Sequence, residues 1–213
     1  MRKFIVQRSW IVFLFMAVGP VPSAQAQLSE LDVRIYTGVI SPSGTFADYF
    51  GFGPSVGLTI VHPVGERAGL FLDVGWDRLS REQHTYVPYT NLWHYRVGAE
   101  VDVIDSDILS LRPYASVGAT SFRSDPFTVI GRIDNWESLP LNFSHNYLSG
   151  TGGLRLVIEP GDGLTWFLSG EFSWSPIGEA DAEVLQRVSL EPLKLFSAAT
   201  TKSLTMGFSF RTR

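Results

Sequence analysis

The chain has 213 residues, 45% of them hydrophobic and 18% charged, with a formal net charge of −4 and no cysteine, which suits one domain with ample apolar surface. Without cysteine there is no disulfide framework, no thiolate chemistry and no Cys-based zinc site. The acidic balance argues against nucleic acid as a partner, because neutralising phosphates requires clustered Lys and Arg.

The first element in chain order reads as a leader. Arg2, Lys3 and Arg8 precede the apolar run from Trp10 to Val18, and Ala24-Gln25-Ala26 places small residues at both recognition positions of a cleavage site. The run is too short to cross ~30 Å of hydrocarbon as a helix. Residues 1–26 are expected to be a secretory signal peptide and 27–213 the mature domain, beginning at Gln27. Losing three bases and no acids takes its formal charge from −4 to −7.

Beyond residue 26 no segment of about 20 apolar residues remains, and the dominant signal is period two. Strands are expected at about 31–40, 54–62, 69–79, 92–104, 109–123, 145–158, 164–174 and 199–211. In the last, Leu204, Met206, Phe208 and Phe210 alternate with Thr205, Gly207 and Ser209. In the seventh, Leu164, Trp166, Leu168, Phe172 and Trp174 alternate with Thr165, Ser169, Glu171 and Ser173, and Phe167 breaks the pattern. Connections alternate between tight (63–68, 105–108, 159–163) and long (41–53, 80–91, 124–144, 175–198). Asp105-Ser106-Asp107 and Gly161-Asp162-Gly163 tolerate the backbone angles of tight hairpins.

These features predict an all-β fold, a closed eight-stranded antiparallel up-and-down transmembrane β-barrel with short periplasmic turns and longer outside loops. A soluble barrel would bury the charges of the narrower face between apolar walls or leave its apolar face in water. In an outer-membrane barrel the apolar face meets lipid, and the charges pair in a polar lumen. The candidate lumen network is Arg34, Asp73, Arg96, Glu100, Arg112, Arg155 and Glu171, with Asp77 and His94 on the same face and Asp32 and Asp102 at the periplasmic mouth. Inward glycines, Gly57, Gly75 and Gly153 among them, are expected where large side chains cross the lumen. Trp76, Trp93, Tyr95, Tyr147 and Trp174 are read as an interfacial girdle near the long loops. The face assignment also predicts that arginine at Leu168 is costly, whereas at Ser169 it enters the lumen near Glu171 at lower cost if the interior has room.

The segment Arg112-Pro113-Tyr114-Ala115-Ser116-Val117-Gly118 resembles a Pro-Tyr-x-x-x-Gly strand opening of small outer-membrane barrels of the OmpA/OmpX kind. Ile40 to Gly57, with Pro42, Gly44, Phe46, Tyr49 and Gly53, is similar to their first loop and second strand. Leu204 to Phe210 resembles their C-terminal assembly strand, although here Arg211-Thr212-Arg213 follow the terminal aromatic. The resemblance implies a monomeric protein of a Gram-negative cell envelope. Its partners would be outer-membrane lipid, lipopolysaccharide and, through the C-terminal strand, the barrel-assembly machinery.

Catalysis is not expected. A lipid-hydrolysing site needs a serine beside a histidine that a carboxylate orients. The nearest approach is Ser144-His145 with Ser149, and four positions of strand separate His145 from Ser149 by about 13 Å. The remaining histidines are His62, His84 and His94. No acidic loop has calcium-hand spacing and no His pair stands at i, i+4, so neither metal nor cofactor is expected. The run Glu179-Ala180-Asp181-Ala182-Glu183 reads as a solvated acidic patch or as one turn of an exposed helix continued by Val184, Leu185 and Val188 at helical spacing. A structural or surface-interaction barrel is therefore the leading functional reading. The alternatives are a narrow transport or binding barrel with aromatics near Phe71, Phe122 and Phe167, and a lipid-modifying enzyme.

Overall fold

Residues that alternate between apolar and polar side chains suit a sheet with one apolar and one polar face, and here they form eight long strands. These are β1 (Asp32–Ser43), β2 (Gly53–Pro63), β3 (Ala68–Arg81), β4 (Thr90–Val101), β5 (Leu109–Ser124), β6 (Ser144–Ile158), β7 (Leu164–Pro176) and β8 (Ala198–Arg211). The structure is a computed structural model that describes residues 31–81, 89–106, 108–125, 127–130, 138–141, 144–160, 164–177 and 198–211. The expected leader, His84, the Gly161-Asp162-Gly163 turn and the acidic run at 179–183 lie outside the described residues.

Each strand pairs antiparallel with its chain neighbours, and β1 also pairs with β8, Asp32 opposite Arg211 and Ser43 opposite Thr200. The ladder closes into an eight-stranded up-and-down barrel, which removes the edge strands of an open sheet. Asp32 and Arg211 lie at the end where Pro63 is joined to Ala68 by a tight turn, with Val64 N donating to Ala68 O at 2.7 Å and Gly65 at φ 75°.

Three departures from the expected boundaries have local causes. Strand β1 runs three residues beyond 40 because Ser41–Ser43 pair with Thr200–Lys202. Strand β4 stops at Val101 rather than 104. Its register with β5 slips by one residue between Glu100↔Tyr114 and Ile104↔Leu111, which amounts to a bulge. Pro113 sits opposite that slip, where its missing N–H costs the ladder nothing on that side. The long-loop end also carries more order than expected, a 3-10 turn (Gly44–Asp48), a two-residue strand (Phe50–Gly51) on β3, and a separate hairpin (Phe127–Ile130 with Ser138–Leu141).

Burial follows the pleat. Ile35, Leu58, Leu72, Tyr95, Leu154, Leu168 and Met206 face outward and are exposed, while Arg34, Thr59, Asp73, Arg96, Arg155, Ser169 and Thr205 face inward and are buried. Phe167, which broke the alternation of β7, is one of the inward side chains and is buried with Tyr36 and Val157. Tyr147 shares its parity with Ser149 and Thr151. It turns inward and meets Phe122 edge-on at 5.3 Å, so it does not belong to the outward ring formed by Trp93, Tyr95 and Trp174.

Candidate functional site

The lumen is filled in three layers. At the short-turn end, Glu100 of β4 gathers three arginines from three other strands. Arg34 of β1 binds it in a fork, Nη1 to Oε2 and Nη2 to Oε1 at 2.7 Å each. Arg155 Nη1 of β6 lies 2.5 Å from Oε2, and Arg112 Nη1 of β5 lies 3.7 Å from Oε1. Each arginine has further company. Asp32 is 2.7 Å from Arg34, Arg112 Nε donates to Asp102, and Arg155 Nε donates to Ser169 Oγ at 3.0 Å while its guanidinium lies over Tyr114 and Phe167. Ser169 thus stands against a guanidinium rather than open space, so an arginine there would meet a like charge, and the milder cost expected for it does not fit this geometry.

The middle layer centres on Arg96 of β4. Its Nη2 donates to Asp73 Oδ2 at 2.7 Å and its Nη1 to Glu171 Oε1 at 3.0 Å. Thr59 donates to Asp73 Oδ1 at 2.7 Å, and Tyr114 donates to Glu171 Oε2 at 3.0 Å. His94 lies between two carboxylates, 3.2 Å from Asp73 and 3.2 Å from Asp77, with the Tyr36 hydroxyl 3.1 Å from its Nε2. Neighbouring glycines make this crowding possible. A Cβ on Gly57 would fall 2.2 Å from the Tyr36 hydroxyl, and one on Gly153 2.5 Å from the Tyr114 ring. The seven residues of the expected network therefore sit in these two layers, and each makes an ion pair there.

The third layer is apolar and was not expected. Phe46, Tyr49 and Phe50 of the first long connection fold into the mouth and pack against Ile40, Leu79, Leu92, Phe122, Ile177 and Ala199. Phe46 and Phe50 rings lie 4.6 Å apart, and Phe46 meets Phe122 edge-on at 6.1 Å. The sequence signal was present in the density of aromatics at 46, 49, 50 and 52, too many for a wholly solvated loop.

Among the described residues little space survives between the layers. Cavities of about 30 Å³ near Asp77 and Glu171 and about 10 Å³ near Phe71 and Arg155 are room for isolated waters, not for a solute. A wider recess of about 210 Å³ opens at the short-turn mouth beside Asp32, Glu66, Arg67 and Glu159. His62 and His145 are exposed, whereas Ser149 is buried in the lumen.

A closed barrel with an apolar wall and a charged, filled lumen has the architecture of the small eight-stranded outer-membrane barrels. No family model matches the chain, and no curated protein matches it by sequence. Among solved structures it is similar to a major outer membrane protein from Thermus thermophilus, at 13% identity over 87% of this chain and 100% of that one, with a TM-score of 0.54. It is also similar to the N-terminal β-barrel domain of Pseudomonas aeruginosa OprF (14% identity, 84% and 97% covered, TM-score 0.49). A third is the attachment invasion locus protein Ail of Yersinia pestis (13%, 86% and 98%, 0.49). At these identities the likeness is one of fold.

Proposed function

We propose that the protein is an integral outer-membrane barrel with a structural or surface-interaction role, closed to solutes and without catalysis. The observation that carries this reading is the inversion of polarity. Ion pairs fill the inside while Ile35, Leu58, Leu72, Leu154, Leu168 and Met206 line the outside, an arrangement stable in lipid and untenable in water. The eight-strand circumference leaves an interior wide enough for side chains or one small ligand, and among the described residues the layers leave only cavities of about 30 and 10 Å³ between them, with the recess of about 210 Å³ confined to the short-turn mouth. The cavities beside Phe71, Phe122 and Phe167 measure only about 10 and 30 Å³, which favours a plugged barrel over a carrier of apolar molecules. Among the described residues His94 contacts two carboxylates, the Tyr36 hydroxyl and Arg96, and no serine, which supports the non-catalytic reading.

The test is conductance of the refolded mature protein in a planar bilayer. Silence is expected at moderate voltage, and a steady ion current scaling with the number of inserted barrels would defeat the closed-lumen reading.

A further inference from the structure

The two charged layers of the lumen do not balance alike. At the short-turn end, Arg34, Arg112 and Arg155 face Glu100, Asp32 and Asp102, and Glu159 beyond them is half-exposed. In the middle layer the acids are Asp73, Asp77 and Glu171, and among the described residues the arginine that meets them is Arg96. His94 lies 3.2 Å from both Asp73 and Asp77. Counting its imidazole as charged still leaves three acids against two bases. The layer is buried, and a surplus carboxylate there is costly unless a cation meets it.

The surplus falls on Asp77. Thr59 and Arg96 engage the two oxygens of Asp73, and Arg96 and Tyr114 engage those of Glu171. Asp77 is 5% exposed, and its Oδ2 lies against His94 Nδ1. Its Oδ1 is buried and has no hydrogen-bond partner among the described residues. Asp77 lines the cavity of about 30 Å³ between the middle layer and the apolar third layer, and Thr120, Ser175 and Thr201 bring hydroxyl groups to the same cavity. One water needs about 10–15 Å³ of such space, and a bare sodium or potassium ion is no larger than a water.

We propose that this cavity binds one dehydrated monovalent metal cation, sodium or potassium, on Asp77 Oδ1 and the surrounding hydroxyls. The ion supplies the charge that the middle layer lacks and completes the neutralisation of the lumen. Carboxylate and hydroxyl oxygens are the hard donors such an ion takes. Divalent ions are poorly served, because calcium sites use several carboxylates and magnesium keeps a shell of waters, whereas this cavity offers one open carboxylate oxygen and little room. The donors come from β3, β5, β7 and β8, so no spacing within the sequence marks the site. It lies inside the lumen and does not depend on what surrounds the outer wall.

The test is equilibrium urea unfolding of the refolded mature protein in zwitterionic micelles, with unheated gel migration to check that each sample is folded. Sodium chloride and potassium chloride are compared with N-methylglucamine chloride, whose cation is too large to enter. A ligand that binds only the folded state raises the folding equilibrium constant by 1 + [L]/Kd, so an ion held with a Kd of about 10 mM gives about a tenfold gain at about 100 mM salt in at least one metal chloride. Asp77→Asn keeps the shape, removes the charge and should abolish the gain. Thr201→Val removes a hydroxyl, leaves every charge in place and should cut the gain about threefold. Glu66→Gln, at an exposed acid of the short-turn mouth, should keep it, which separates a site from general screening. Equal stability in the three salts overturns the proposal. So does a gain that survives in Asp77→Asn, is undiminished in Thr201→Val or is lost in Glu66→Gln. If Asp77→Asn does not fold, Thr201→Val decides.

Discussion

Removing the charge of Glu100 tests the lumen where its electrostatics are most concentrated. Glu100→Gln keeps the shape of the side chain but replaces one carboxylate oxygen with an NH2 group aimed at arginines. Arg34 retains Asp32 at 2.7 Å and Arg112 retains Asp102, so both keep a counter-charge. Arg155 keeps a hydroxyl, Ser169 Oγ at 3.0 Å, and two aromatic faces at 4.8 and 5.3 Å. Both Glu100 and Arg155 are about 5% exposed, and the recess of about 210 Å³ at the short-turn mouth borders Glu100 but is not lined by Arg155, so water relieves little of the charge stranded on Arg155. Breaking a buried pair from one side costs about 3–5 kcal/mol, most of it the penalty of the stranded charge. Adding Arg155→Met removes that charge, so the double variant should be more stable than Glu100→Gln alone, a strongly non-additive cycle. Reversible denaturant unfolding in lipid vesicles measures both. A cost below about 1 kcal/mol for Glu100→Gln, or full additivity in the double variant, would refute the view of the lumen as a dry, mutually neutralised array.

The barrel was legible in the sequence because a strand with one face in an apolar medium cannot slip by one residue without exchanging both faces. Parity alone therefore sorted Arg34, Asp73, Arg96, Glu100, Arg112, Arg155 and Glu171 onto one side. Parity also explains Phe167, whose position is inward whatever its chemistry. Tyr147 was misplaced for the opposite reason, since an aromatic close to a long loop was read by its depth when its odd number, shared with Ser149 and Thr151, already placed it inside.

Which charges meet was not legible. Asp73 and Arg96 are direct register partners and follow from the β3–β4 hairpin. Arg34 and Glu100 are 66 residues apart on strands that do not pair, and only the closure of the ring brings them together across the lumen. The plug escaped for a related reason. Phe46, Tyr49 and Phe50 lie in a connection where no periodicity governs direction, so their composition hinted at burial without saying where.

Three further substitutions, and a fourth as control, probe the wall, the plug and the crowding of the lumen. Leu168→Arg on the outward face of β7 should destabilise the barrel in vesicles by about 2–4 kcal/mol, and a cost near zero would mean that Leu168 does not face lipid. Phe46→Ala should cost about 3–5 kcal/mol by emptying the plug, yet leave planar bilayers silent because the ion-paired layers below still fill the lumen; a new steady current would make the plug the seal. Gly75→Ala adds a single methyl group, and its effect depends on what that methyl meets. At Gly75 a Cβ would fall 2.2 Å from His94 Nε2 and 2.6 Å from the Tyr36 hydroxyl. Both rings must move, and moving His94 loosens its contacts to Asp73 and Asp77, so overpacking should cost about 1–3 kcal/mol. Gly170 on β7 is the matched control, because a Cβ there meets nothing within 4 Å. Gly170→Ala should be neutral or stabilise by about 0.4–1 kcal/mol through the unfolded chain. If the two alanines had equal effects in the same unfolding assay, Gly75 would be serving strand curvature alone, and the crossing of Tyr36 and His94 over it would not be what keeps the position small.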